Sequence, residues 1–216
     1  MSTITRSQFI QAAQSFARKH ASSDDPTPSP LLQSWSWNEH PTFPGLGYLS
    51  RNIIVPFSST DNLPQDIPAS DNLVDEEPDD ATSASNTQLT AAQLYVAYSP
   101  TYQVPALYFS VHHDNGTPLS LAELCRLPLF RHHALHGDQV ASFSVQDPTS
   151  SMALLSQGDH PTLGTPCWYI HPCNTSAVVE DIMAEVDTEE WSDEARCVRW
   201  VEAWFMVIGN IVQVTF

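Results

Sequence analysis

Only one lysine, Lys19, occurs in the chain's 216 residues, and Lys and Arg together number 8 against 25 Asp and Glu. The resulting formal charge of -17 repels phosphate backbones and acidic headgroups. Nucleic-acid binding and electrostatic docking on membranes are therefore disfavoured. Glycine is scarce at 7 and proline frequent at 17, which excludes collagen repeats, coiled coils and a fold dominated by long unbroken helices. No stretch approaches the roughly 20 apolar residues of a membrane span. The most apolar tail, Ala203 to Phe216, is too short and carries Asn210 and Gln213, so no stable membrane insertion is expected. MSTITRSQFIQAAQSFARKH lacks the apolar centre of a signal peptide, which points to the cytosol. There Cys125, Cys167, Cys173 and Cys197 should be reduced. No C-x-x-C pair exists, so a zinc knuckle or thioredoxin-like site has no support.

What is present suffices for a core. Hydrophobic residues make up 42%, and the length fits a single domain over residues 1–216. Phe9, Ile10, Ala13, Phe16 and Ala17 recur at helical spacing behind Ser7, a plausible N-cap. Trp35, Trp37 and Gly47-Tyr48-Leu49 suggest strand pieces, and Asn52 to Val55 another short strand. Ser58 to Asn86, with Asp75-Glu76-Glu77-Pro78-Asp79-Asp80, keeps no apolar period and reads as a disordered acidic insertion. Order returns at Gln88. Leu94-Val96-Tyr98 and Ala106-Tyr108-Ser110 alternate as two neighbouring antiparallel strands, closed by the turn Asp114-Asn115-Gly116. Ser120-x-x-Glu123 is a capping box before a short helix. Thr162 to Ile170 reads as extended, and Ser176 to Glu185 as a helical turn or two. Ser192 to Ile208 is the strongest helix, with Val198, Val201, Phe205 and Ile208 on one face and Gly209-Asn210 as its stop.

The chemistry concentrates in His171-Pro172-Cys173-Asn174, where a strand delivers a cysteine through a proline turn. Proline fixes the backbone and so the thiol's position, and a thiolate there would be a nucleophile. The plain alternative is a buried cysteine at a strand end. His132 and His136 stand one helical turn apart, but the metalloprotease pattern needs Glu after the first His, and His133 is there instead. No protease signature surrounds Cys173, and the other three cysteines read as small buried apolar residues.

Three ordered segments between Gln88 and the C-terminus resemble the autophagy-related protein 10 family of E2-like conjugating enzymes. They are Tyr95 to Phe109, containing Tyr-Ser-x-x-Tyr-Gln-Val-Pro; His160-Pro161-Thr162-Leu163-Gly164 followed by His171 to Thr175; and Trp200 to Gly209. The His-Pro-Cys triplet is shared with the related autophagy-related protein 3 enzymes. The acidic insertion and the histidines around His132 depart from the family pattern. The resemblance implies an α+β fold, an E2-like core with an antiparallel β-sheet flanked by helices, and no cofactor. It also implies an activity: the ubiquitin-like autophagy-related protein 12 arrives from the E1-like autophagy-related protein 7, is held as a thioester on Cys173, and passes to a lysine of autophagy-related protein 5. An autophagy-related protein 3 type lipid-conjugating enzyme and a non-catalytic E2-like scaffold are the alternatives, the scaffold weakened by the retained Cys173. The His-Pro-Asn asparagine of conventional ubiquitin E2 enzymes is missing, so other donors must serve. Tyr102 is the candidate to contact the oxyanion or the lysine, packing being its other reading. Asn174 and His171 flank the thiol as further donors or as turn caps. Tyr98 reads as core.

Overall fold

A computed structural model describes residues 3–21, 34–58, 87–131, 134, 140–141, 144–146, 153–186 and 191–213. Among them the helices are α1 (Arg6–Ala21), α2 (Leu121–Leu124), α3 (Thr175–Val186) and α4 (Asp193–Ile208). The strands are β1 (Ser36–Asn38), β2 (Tyr48–Ser58), β3 (Thr87–Ser99), β4 (Val104–Val111), β5 (Val140–Ala141), β6 (Ser144–Gln146), β7 (Ala153–Asp159) and β8 (Pro166–Ile170). All eight form one antiparallel sheet in the order β1-β2-β3-β4-β8-β7-β6-β5. The expected α+β architecture is therefore the one observed.

The period-2 pattern explains the sheet's inner face. Leu49, Val55, Leu94, Val96, Leu107, Phe109, Trp168 and Ile170 point into the core and are buried, each inner residue followed by one facing outward. The two strand pieces expected around Tyr48 and Ile53 are one continuous strand, β2, held to β3 from Tyr48↔Ala97 to Ser58↔Thr87. The extended run expected from Thr162 is shorter, because Pro161 to Leu163 form the β7–β8 turn and the strand starts at Pro166. β3 and β4 are central strands: β3 lies between β2 and β4, and β4 between β3 and β8. Residues 59–86 and His132, His133 and His136 lie outside the described residues.

α1 and α4 pack together over the sheet. Phe9, Ala12, Ala13, Phe16 and Ala17 bury one face of α1. Phe16 stacks on Phe205 of α4 with ring centroids 4.8 Å apart, and Trp35 closes on the same Phe205 at 5.1 Å. The cap of α1 lies two residues before the expected Ser7. Thr5 Oγ1 accepts the Gln8 N–H at 3.3 Å, and Gln8 Oε1 accepts the Thr5 N–H at 2.8 Å, a reciprocal capping box. The other box is where the sequence puts it, at Ser120 and Glu123, and Ser192 caps α4 as expected. α3 runs the full Thr175–Val186 rather than a turn or two, its inner side secured by Val179 and Met183.

Candidate active site around Cys173

β8 delivers the site. Its last residues are pinned to β7 by Leu155↔Ile170 pairing and by the His171 N–H donating to Leu154 O at 2.9 Å. The chain then enters a short 3-10 turn, Pro172–Asn174, with proline at its start, where a missing N–H costs nothing. Thr175 locks the turn from behind: its N–H and its Oγ1, the latter at 2.8 Å, both donate to Pro172 O. Cys173 is therefore held between a strand end and the first turn of α3, half-buried.

His171 connects this turn to the β3–β4 loop. Its Nδ1 accepts the Cys173 N–H at 3.4 Å, and its Nε2 lies 3.1 Å from the Tyr102 hydroxyl, the two rings edge to face at 5.1 Å. An Nδ1 that accepts must carry the lone pair, so the proton resides on Nε2 and points at Tyr102. The Tyr102 oxygen then accepts from His171, and the phenol's own proton is left to donate outward. Burial pushes the His171 pKa down, which keeps the imidazole in this neutral form. Tyr102, 37% exposed, sits in a loop shaped by Gln103, whose φ of 54° is left-handed. Gln103 is tied on both sides: its N–H donates to Ser99 O at 2.8 Å, and its carbonyl accepts the Ile4 N–H at 3.0 Å. The sequence places Cys173, His171 and Tyr102 as separate candidates; the structure joins them in one hydrogen-bonded chain. Asn174 contributes backbone to the turn, and its side chain lies outside the described residues. Tyr98 is buried in the core, under the Arg6 guanidinium at 5.0 Å.

The remaining thiols are differently placed. Cys167 is buried, donates to Gly158 O at 3.4 Å, and is pushed up to about 12 by burial and then by the nearby Asp159. Burial also raises Cys197, with Asp193 adding to it, and the half-buried Cys125. Among the described residues no group of His, Cys, Asp and Glu is placed to hold a metal ion.

His160, singled out in the sequence only as part of a motif, has a structural part to play. Its Nδ1 accepts the N–H groups of Thr162 and Leu163, both at 3.1 Å, and so builds the β7–β8 turn. Gly164 closes that turn at φ 65°. The ring is 1% exposed and wedged between Tyr48 and Tyr95, each at 4.9 Å, with Tyr108 at 5.5 Å. Among the described residues its Nε2 has no hydrogen-bond partner. The only signal in the sequence was His before Pro-Thr-Leu-Gly, a side-chain acceptor two and three residues ahead of turn amides.

The family described as autophagocytosis associated protein, active-site domain, matches residues 8–216. The chain is 29% identical over 174 residues to the ubiquitin-like-conjugating enzyme ATG10 of Arabidopsis thaliana, covering 77% of this chain and 71% of that protein. It is 29% identical over 127 residues to the protein of the same name from Dictyostelium discoideum, covering 56% of this chain and 50% of that one. A third relative is autophagy-related protein 3 of Meyerozyma guilliermondii, 30% identical over 135 residues, 60% of this chain and 40% of that protein. The chain thus spans between two fifths and about seven tenths of these relatives.

Proposed function

The chain belongs to the autophagocytosis-associated active-site-domain family, among its ATG10-type ubiquitin-like-conjugating enzymes, and from that premise we propose that Cys173 carries autophagy-related protein 12 as a thioester. The modifier comes from autophagy-related protein 7 and leaves to a lysine of autophagy-related protein 5. The observation that carries this reading is the chain from the Cys173 N–H through His171 to the Tyr102 hydroxyl, which fixes the turn bearing a half-buried thiol against a phenol.

Loading is an exchange of thioesters. The Cys173 thiolate attacks the modifier's carbonyl, a new C–S bond forms, and the activator's thiolate leaves. The two thioesters are nearly equal in energy, so an accessible thiolate and a docked donor suffice. Discharge is more demanding. A free lysine, with pKa about 10.4, is under ~0.1% neutral at pH 7. The amine attacks the same carbonyl, the oxyanion of the tetrahedral intermediate takes a hydrogen bond, the amine proton passes to water, and Cys173 departs as thiolate. In the absence of the usual E2 asparagine, the Tyr102 O–H supplies that hydrogen bond or orients the amine. His171 is the positioning residue behind it.

The test is reconstitution with activator, modifier and ATP. Wild-type enzyme should show an adduct removed by reductant, Cys173→Ser an oxyester that resists it, and Cys173→Ala none. Thioester formation by Cys173→Ala would overturn the assignment. The match to autophagy-related protein 3 gives a second reading its own readout. Discharge to the amine of a lipid, with none to autophagy-related protein 5, would favour it.

A further inference from the structure

We propose, resting on the thioester reading above, that this chain is depleted of competing nucleophiles so that a modifier on Cys173 cannot be lost to the enzyme itself. The first observation is compositional. An acidic protein of 216 residues needs some cations on its surface, and here seven of the eight are arginine. A guanidinium stays protonated at any physiological pH and does not attack a thioester. One amine-bearing side chain remains, Lys19.

The second observation is where that amine is held. Lys19 Nζ lies 2.6 Å from Glu202 Oε1 on α4. Glu202 is only 7% exposed, and it also meets His20 Nε2 at 3.1 Å and Arg199 at 2.9 Å. Burial alone would raise this carboxyl. Hydrogen bonds from Lys19 and His20, with the charges of Lys19 and Arg199, outweigh it and hold Glu202 below the usual carboxylate range. To attack a carbonyl, Lys19 would have to leave Glu202, give up a proton and remove one partner from a buried carboxylate. Arg199 and His20 would still meet that carboxylate, so the lost charge-assisted hydrogen bond adds to the ordinary cost of freeing a lysine amine.

The third observation concerns sulfur. A thioester can also migrate to a neighbouring thiol. Cys167 and Cys197 are buried, Cys125 is half-buried, and burial raises all three. Cys167 and Cys197 are thereby withheld from exchange, and Cys125, half-buried like Cys173, offers less of the thiolate that exchange requires. Side-chain amines and thiols are thus held back by three separate means: replacement by arginine, pairing with Glu202, and burial. The common outcome is a charged intermediate that waits for an acceptor in trans.

The experiment restores an amine and asks whether the enzyme consumes its own thioester. Ala177 is exposed in the first turn of α3, four residues along the chain from Cys173, and a lysine there carries its amine on a flexible four-carbon stem. Enzyme charged through activator, modifier and ATP is isolated without acceptor and followed on gels with and without reductant. The parent and Lys19→Arg should show the reductant-sensitive adduct, decaying alike, with no reductant-resistant self-adduct. Ala177→Lys should convert its thioester to a reductant-resistant self-adduct at least ten-fold faster than the parent thioester decays. Val178→Lys, at a position 44% exposed, repeats the test should Ala177→Lys not load. A parental self-adduct mapped to Lys19 overturns the proposal, as does parental decay in both lysine variants. Absence of any reductant-sensitive adduct in the parent overturns the thioester reading itself, a different result on the same gel.

Discussion

At the scale of single residues, the two half-reactions should separate at Tyr102. Loading relies on a thiolate, which is already a good nucleophile, while discharge relies on an amine that is mostly protonated. Tyr102→Phe should therefore load at the parental rate and discharge about ten-fold or more slowly, since one such hydrogen bond is worth about 1–3 kcal/mol. Single-turnover decay of the Cys173 thioester against growth of product measures both. Parental discharge in Tyr102→Phe would make the ring a packing residue. His171 adds a pH signature. Its pKa is lowered by burial, so the imidazole is neutral at pH 7 and protonates only below its ordinary value of about 6.5. The imidazolium has no lone pair left for the Cys173 N–H. Lysine protonation alone makes discharge fall one decade per pH unit on acidification. In the parent the fall should steepen beyond that at a pH below the ordinary imidazole range, where the lowered His171 protonates, and in His171→Ala it should stay at one decade. If the two slopes coincide, His171 does not position the site. Cys173, His171 and Tyr102 were each singled out as candidates in the sequence, Cys173 and His171 by the proline turn and Tyr102 by the family resemblance. Their connection was not, because it spans residues 102 to 173 and depends on which imidazole nitrogen faces which partner.

At the scale of elements, the β2–β3 hairpin makes a prediction about what joins it. Ser58 and Thr87 are paired directly across the ladder, so the two ends bridged by residues 59–86 are near enough for a two-residue turn. Replacing 59–86 with Asn-Gly should leave loading within a few-fold of the parent. Each halving of a loop returns about 0.6 kcal/mol of closure entropy, so stability should rise by up to about 2 kcal/mol. Loss of a cooperative melt would show that the segment belongs to the folded structure, and loss of discharge alone would make it a partner contact. Elements with a strong period were readable: β3, β4, α1 and α4 follow from alternation or from the 3.6-residue repeat. β7 was not, since ALLSQGD alternates too weakly to stand out. The cap of α1 was misplaced for a local reason. Both Thr5 and Ser7 are good caps, and the choice falls to Gln8, which answers Thr5 from three residues on. Gly209 stops α4 as expected but at φ -62°, without the left-handed turn that its residue type suggested.

At the scale of the whole molecule, acid should find the β7–β8 turn before it finds the helices. The His160 pKa is lowered by burial to about 4, against about 6.5 in an unfolded chain. Between these values the unfolded chain binds the extra proton, so the contribution of neutral His160 is complete above pH 6.5 and drains away as pH falls toward 4. The loss amounts to about 3 kcal/mol. Glu202 contributes in the same direction further down. Its carboxyl is held low by Lys19 and His20 against the effect of burial, so its share is present above the unfolded carboxylate pKa and is lost as pH drops through the folded one. Urea melts at pH 7, 6, 5 and 4 would read this out. His160→Asn keeps an oxygen for the Thr162 and Leu163 amides but cannot titrate. It should be less stable at pH 7, yet lose clearly less between pH 7 and 4 than the parent. Equal losses would move the acid sensitivity elsewhere.

The packing of α1 on α4 has a consequence in time. Among the helices described, the first to leave the ribosome rests on the last, Phe16 on Phe205. Translation at about 5–20 residues per second leaves α1 waiting on the order of 10 to 40 seconds for its partner. Throughout that interval Phe16 is without the Phe205 ring it stacks on, whereas the ring partners of Phe9, Trp37 and Tyr98, are made early. Nascent chains stalled before residue 193 should therefore expose the α4-facing side of α1 to protease, and chains in which α4 has cleared the ribosome should protect it.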